Sequence, residues 1–190
     1  EISSIDKNIA LNISRLLRSG GLDNYRKFLN CLNYLVVDEK LIPDDFLNIT
    51  FYADPYLHDW KNESGEKIGI ISYKSLFLAN EIEVNEKLNL QLRKCGLSPK
   101  TFFISTLKDH IIQKKLIEIF KKEDIKLIIT TTSFSSSQIK NNELIENSTN
   151  IFTSLKIPIL QLLSSNRSRK KWLNSSIGMN SSDLLMQIII

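Results

Sequence analysis

Hydroxyl side chains cluster where four apolar, β-prone segments of the chain end. The clusters occupy positions 72–75, 105–109, 130–136 and 161–166, and Lys74 and Lys108 lie in the first two. Hydroxyls and amides hydrogen-bond carboxylates, amides or phosphates without carrying a charge of their own. Because open parallel sheets bind ligands outside the carboxyl ends of their strands, the clusters predict a ligand-binding edge. The alternative is that Ser and Thr serve only as turn residues and helix caps.

The most concentrated run of positive charge, Arg167-Ser-Arg-Lys-Lys171, follows the last of these segments and precedes Trp172. Cations in the first turn of a helix oppose the helix dipole, which is positive at that end. We therefore interpret the run as a clamp for an anionic ligand or a partner surface. The alternative interpretation, a solvated first turn of a helix, is the commoner case.

Motifs for nucleotide, metal or nucleophilic chemistry are missing from the sequence. Neither G-x-G-x-x-G nor G-x-x-x-x-G-K-[ST] occurs, so no nucleotide cofactor is predicted. His58 and His110 are far apart in sequence. A solvated histidine is the commoner case at His58, and the alternative is a weak metal site with Asp54 and Asp59. Without G-x-S-x-G or a Ser-His-Asp grouping, no catalytic residue is assigned and no metal site is predicted.

The elements that must position the hydroxyls alternate between strand and helix. Strands are predicted at 68–73, 101–105, 125–130 and 157–163, with helices at 84–96 and 109–122 and a weaker one over 144–155. This spacing indicates right-handed crossovers and a parallel sheet with helices on both faces. The fold class is therefore α/β, a parallel sheet flanked by helices in the flavodoxin or Rossmann manner, preceded by an N-terminal helical hairpin.

Three regions are predicted along the chain. Residues 1–37 form the helical hairpin, jointed at Ser19-Gly20-Gly21 because glycine ends a helix at low cost. Residues 38–66, punctuated by prolines and aromatic residues, form an irregular aromatic linker. Residues 67–190 form the α/β domain, which we expect to be truncated at its C-terminus.

Composition excludes several classes of protein. The 190 residues are 42% hydrophobic, and their formal net charge is +4 with lysines spread along the chain, so nucleic-acid binding is not expected. No apolar run is long enough to span a bilayer, and the start does not resemble a signal peptide. A cytoplasmic protein with two buried free thiols, Cys31 and Cys95, is expected.

Several motifs in a fixed order resemble one family. They are Lys67-Ile-Gly-Ile-Ile-Ser-Tyr-Lys-Ser75, Phe103-Ile-Ser-Thr-Leu-Lys-Asp109, Thr131-Thr-Ser-Phe134, Ile157-Pro-Ile-Leu-Gln161, Trp172-Leu-Asn-Ser-Ser176, Gly178 and Asp183-Leu-Leu-Met-Gln187. Gly20-Gly21 with Asn24 is similar to the family's GG-x-x-N helix joint. Together they resemble the N-terminal part of the large subunit of ATP-dependent cobaltochelatase, the CobN family, which is related to the large subunit of magnesium chelatase.

The resemblance implies a large parent subunit that binds a tetrapyrrole and supports insertion of cobalt into hydrogenobyrinic acid a,c-diamide in cobalamin biosynthesis. AAA+ partner subunits would hydrolyse ATP with magnesium, and this chain would bind no cofactor of its own. The alternatives are magnesium insertion into protoporphyrin IX and a scaffold that docks other subunits without contacting the ring. On the first interpretation the expected ligand contacts are Tyr73, Lys74, Lys108, Thr132, Phe134, Gln161, Arg169 and Trp172.

Overall fold

A computed structural model of the chain describes residues 5–58, 61, 63–132, 139–140, 143–144, 154–162 and 168–176. The chain forms two compact units, one of residues 1–53 and 75–83 and the other of residues 54–74 and 84–190. No helix in the described part of the chain is both long enough and apolar enough to cross a membrane.

The first unit is helical. Its elements are Lys7–Ser19 (α1), Leu22–Val37 (α2), a 3-10 turn at Glu39–Leu41, Asp44–Leu47 (α3) and most of Lys74–Leu78 (α4). Its core is built from Ile13, Leu16, Cys31 and Ile42. Burying these side chains against one another is the main stabilising term for so small a unit.

The joint between α1 and α2 confirms the predicted hairpin. Gly20 and Gly21 both have positive φ, 65° and 86°, which glycine adopts readily. At Gly21 a side chain is also excluded by space, because a Cβ would lie 2.4 Å from the ring of Tyr52. Asn24 then fixes the chain after the joint: its Nδ2 donates to the carbonyls of Gly20 and Thr50, at 2.8 and 2.9 Å.

The second unit contains a five-stranded sheet. Its strands are Tyr56–His58 (β1), Lys67–Tyr73 (β2), Ser98–Ile104 (β3), Leu127–Thr130 (β4) and Ile159–Gln161 (β7), in the order β1-β3-β2-β4-β7. A separate antiparallel pair is formed by Ile139–Lys140 (β5) and Glu143–Leu144 (β6). In the larger sheet β2, β3, β4 and β7 are parallel, and β1 alone among the described strands runs antiparallel, against β3.

Two helices cover opposite faces of this sheet. His110–Lys122 (α6) packs through Leu116 and Phe120 on one face, where Ile71 and Phe102 lie. Glu83–Lys94 (α5) packs through Leu88 and Leu92 on the other. The strand residues that α5 covers are Ile68, Ile70 and Ile129. The α/β fold class with helices on both faces is thus confirmed, with the correction that the sheet is mixed.

Several element boundaries differ from the prediction. The strand expected at 101–105 begins at Ser98 and includes Pro99. The Ser98 N–H donates towards β2, so a backbone N–H at position 99 would point to the opposite side, towards β1. Strand β1 pairs only with Thr101 to Phe103, and proline is therefore tolerated at position 99 because no hydrogen bond is lost there. Leu144 lies in β6 rather than in the predicted weak helix.

The segment 38–66, predicted as an irregular linker, carries the 3-10 turn, α3 and β1. Strand β1 is short and gains its stability from pairing with the distant β3, which local sequence does not encode. Cys31 is buried as expected, whereas Cys95 is exposed, because it follows the last residue of α5 rather than facing the core.

Candidate functional site

The order of the strands reverses at β2. The chain passes from β2 to β3 on one side and then to β4 on the other side of β2. A crevice outside the carboxyl ends at such a switch point is the usual ligand site of open parallel sheets. Five polar residues meet at this place, and we call them the switch-point edge: Ser72, Thr130, Thr131, Thr132 and Gln161.

One hydroxyl pair links β2 to the residue that follows β4. Ser72 Oγ and Thr131 Oγ1 lie 2.8 Å apart. The Thr131 N–H donates to the carbonyl of Ile71 at 2.9 Å, and its hydroxyl donates to the same carbonyl at 3.3 Å. Ser72 is completely buried and Thr131 is half-buried. Hydrogen bonding between β2 and β4 thus extends to Thr131, the residue after β4, and includes its side chain.

A second group links β4 to β7. The hydroxyls of Thr130 and Thr132 lie 2.8 Å apart, and the Thr132 N–H donates to Thr130 Oγ1 at 3.3 Å. Gln161 Nε2 donates to the carbonyl of Thr132 at 3.4 Å. Thr130 and Thr132 are buried, whereas Gln161 is exposed. The contact between Thr130 and Thr132 therefore helps to fix the Thr132 carbonyl, which binds the exposed Gln161 amide.

The two groups lie on opposite faces of the sheet. Thr130 is in register with Ile71 and Gln161, which places this group on the α6 face. Ser72 and Thr131 are one step further along and point to the α5 face, because side chains alternate along a strand. A ligand that touches both groups must lie across the end of the sheet.

The structure brings together four of the predicted contacts. Tyr73 ends β2 and Lys74 begins α4, while Thr132 and Gln161 belong to the switch-point edge itself. Lys108 lies in the turn after β3, where its N–H donates to Thr106 Oγ1. It is exposed, at the carboxyl end of the neighbouring strand.

Of the other three predicted contacts, two belong to the described part of the chain, and no hydrogen bond or ion pair there joins them to this edge. Phe134 lies outside the described residues. Arg169 and Trp172 lie on a short helix, Arg169–Leu173 (α7), and both are exposed. Ser168 caps this helix by accepting the N–H of Lys171 at 3.4 Å.

Three residues of the edge were not among the predicted contacts: Ser72, Thr130 and Thr131. Their signal in the sequence was their place in the hydroxyl clusters that end two of the apolar segments. Which face each hydroxyl would take depended on the β2–β4 register, and that register is a long-range feature.

Asp54 and His58, two of the residues named for a possible metal site, make structural contacts. Asp54 accepts the N–H of Ser105 through both carboxylate oxygens, at 3.3 and 3.2 Å. The His58 ring stands edge-on to Phe103 with ring centres 5.8 Å apart. Asp59 lies outside the described residues, and within the described part of the chain no three His, Cys, Asp or Glu side chains come together as a metal site would require.

The sequence of the chain is similar to a known protein family. A family model described as CobN/Magnesium Chelatase matches residues 14–190. The chain is 28% identical to an uncharacterised protein of Methanocaldococcus jannaschii, across 96% of this chain and 17% of that protein. It is 24% identical to the aerobic cobaltochelatase subunit CobN of Pseudomonas aeruginosa, across 92% of this chain and 14% of that protein.

A solved structure has a similar fold. The catalytic subunit of cobaltochelatase from Mycobacterium tuberculosis matches with a TM-score of 0.73 at 18% sequence identity. The match covers 98% of this chain and 16% of that chain. The chain thus spans less than a fifth of the length of each of these three proteins.

Proposed function

Because the chain belongs to the CobN/magnesium chelatase family, we propose that it is part of a cobaltochelatase large subunit and that the switch-point edge binds the rim of the tetrapyrrole. The parent subunit would support ATP-dependent insertion of cobalt into hydrogenobyrinic acid a,c-diamide, a step of cobalamin biosynthesis. Cobalt is then a substrate, delivered to the ring rather than held by this chain.

The observation that carries the proposal is the convergence of Ser72, Thr131, Thr132 and Gln161 at the point where strand order reverses. A corrin precursor is a large apolar ring whose rim bears amides and carboxylates. Such rim groups lose water on binding and need hydrogen-bond partners in return. The switch-point edge supplies these hydrogen-bond partners. Lys74 follows β2, and Lys108 lies in the turn that follows β3.

We favour insertion of cobalt over insertion of magnesium because the relative from Pseudomonas aeruginosa is a cobaltochelatase subunit. The rival substrate, protoporphyrin IX, carries carboxylates and no amides on its rim. Competition between the two rings for the intact subunit separates these alternatives. Displacement of the corrin precursor by protoporphyrin at similar concentrations would favour the magnesium branch.

ATP hydrolysis is assigned to partner subunits of the AAA+ class. The sequence has no phosphate-binding glycine loop, so the energy of ATP would reach this chain through subunit contacts. The exposed basic helix α7, with Arg169 and Trp172, is a candidate for ring or partner contact. We expect ATP, magnesium and a multi-subunit complex to be properties of the parent assembly.

The test is a titration of the intact subunit with hydrogenobyrinic acid a,c-diamide, followed by ring absorbance. Thr132→Val and Lys108→Ala should each weaken binding several-fold, whereas Lys114→Ala, on the exposed face of α6, should leave it unchanged. If the wild type and all three variants bind the ring saturably and with the same affinity, the ring site lies elsewhere in the subunit. This region would then act as a scaffold or a docking surface for other subunits.

A further inference from the structure

Helix α2 carries a second apolar stripe beside the one that faces the core of the helical unit. The core stripe contains the buried Cys31 and the partly buried Phe28 and Leu35. Leu29 lies two residues before Cys31, a rotation of about 200° around the helix, so it points away from that core. Around Leu29 the apolar residues recur in steps of three and four positions. We call this set the outer stripe: Leu22, Tyr25, Leu29, Leu32 and Val36.

The outer stripe is open to solvent over most of its length. Leu29 is 58% exposed and Val36 is 88% exposed, while Leu22 and Leu32 are also exposed. Tyr25 is half-buried, and Val37 extends the exposed apolar surface at the end of the helix. Single exposed apolar side chains are ordinary on a protein surface, whereas a continuous row of them marks an interaction surface.

The spacing of the outer stripe fits a second helix lying along α2. Alternating steps of three and four residues are the a and d positions at which one helix packs against another. The stripe runs along all 16 residues of α2, a length of about 24 Å. Beside it the helix is polar and has no net charge, because it carries Asn30, Asn33 and the pair of Arg26 with Asp23, 4.0 Å apart. The surface therefore fits the apolar face of an amphipathic helix.

The small size of the outer stripe indicates which kind of helix covers it. A stable interface between separate proteins involves about 20–30 residues on each side, far more than this stripe supplies. A segment of the same polypeptide needs less contact, because its tether gives it an effective concentration in the millimolar range. The matched region is only 14% of the Pseudomonas aeruginosa subunit and 16% of the Mycobacterium tuberculosis chain. Most of a subunit of that length lies outside such a region.

We propose that the outer stripe of α2 is a docking surface for an amphipathic helix from the part of the parent subunit outside residues 1–190. This inference rests on the proposed function in one respect, the existence of a longer parent subunit, and it does not require that the subunit bind a ring. Docking removes the exposed parts of Leu29 and Val36 from water, which stabilises the contact. The helical unit is then fixed to the rest of the subunit through α2.

The first experiment places the photo-crosslinking residue benzoylphenylalanine in the intact parent subunit in place of Leu29. We expect irradiation to join this position to a peptide of the same polypeptide outside residues 1–190, in a product with the mass of the monomer. The matched control has the crosslinker in place of Asn30, the next residue on the polar side of α2, and should give little of that product. A crosslink from position 29 to a second copy, to another subunit or within residues 1–190, or no crosslink, would overturn the inference.

The second experiment measures hydrogen exchange of the α2 amides in the intact subunit by mass spectrometry. Leu29→Glu places a charge in the contact, and we expect it to raise the exchange rate about tenfold, because a leucine side chain lost from a contact weakens it by at least that factor. The matched control, Asn30→Glu, should keep the wild-type rate. Equal rates in the two variants would overturn the inference. If the wild-type subunit binds no ring while both results hold, the proposed function fails and the docking surface stands.

Discussion

The hydroxyl oxygens of Ser72 and Thr131 lie 2.8 Å apart at the place where the order of the strands reverses. Ser72 ends the buried part of β2, and Thr131 is the first residue after β4. The pair therefore ties the two central strands together at the end where a ligand is expected. The contact also fixes how the two hydroxyls are oriented at that end of the sheet.

Disrupting this pair should have unequal effects. Thr131→Val leaves the fully buried Ser72 hydroxyl without its hydrogen-bond partner, which costs about 1–3 kcal/mol of unfolding free energy. Ser72→Ala removes the buried hydroxyl itself and should cost about 1 kcal/mol. The double variant should be less destabilised than the sum of the two, by about 1 kcal/mol, as measured by urea unfolding. Strictly additive effects would show that the two hydroxyls do not interact.

Asn24 should be among the most sensitive positions of the helical unit. Its side chain is completely buried, donates to the carbonyls of Gly20 and Thr50, and accepts the Thr50 N–H at 2.8 Å. Asn24→Asp keeps the acceptor, loses both donations and buries a charge, so we expect a loss of at least about 3 kcal/mol. Calorimetric unfolding measures this effect.

Asn30 is the matched control for that substitution, because it lies exposed on the same helix, α2. Asn30→Asp should change stability by less than about 0.5 kcal/mol, as is usual for surface positions. Similar losses in the two variants would mean that the Asn24 bonds do not hold the hairpin to the segment at Thr50.

Gly69 is required by packing rather than by backbone conformation. A Cβ at this position would lie 3.2 Å from both the Phe120 ring and Ile125 Cγ2, on the α6 face of β2. Gly69→Ala should therefore destabilise the sheet unit by about 1–3 kcal/mol through overpacking. Replacing Phe120 with leucine in the same chain should recover part of the loss. If Gly69→Ala alone has wild-type stability, α6 is free to shift away from the sheet.

The sequence predicted those helices and strands that short runs of neighbouring residues specify. The Asp109 cap of α6 is an example, since its carboxylate accepts the Ile111 N–H at 2.8 Å. Strand β1 was missed because it is three residues long and depends on pairing with β3, more than forty positions away. Thr132 and Gln161 were predicted as contacts by their types, whereas their connection through a backbone carbonyl required the β4–β7 register.

Lys100 lies at the opposite end of the sheet, close to the amino end of β3, and is only 1% exposed. Its ammonium group donates to the carbonyl of Lys61. Charged groups around it come from several elements: Glu63, Lys67, Arg93 and Glu123. Burial lowers the pKa of Lys100 below its ordinary value of 10.5, and the nearby carboxylate of Glu63 opposes this effect.

Because the pKa of Lys100 is lowered, we expect the free energy of unfolding to change with pH in the alkaline range. The unfolded chain holds the proton more tightly than the folded chain, so the unfolding free energy gains a contribution that rises with pH up to about 10.5. Relative to Lys100→Met, which does not titrate, the wild type should become more stable as pH rises towards that value. It should also gain on Lys100→Arg, whose guanidinium stays charged throughout. Urea unfolding across the alkaline range measures both differences, and a flat or falling difference would show that the Lys100 amine is solvated in the folded chain.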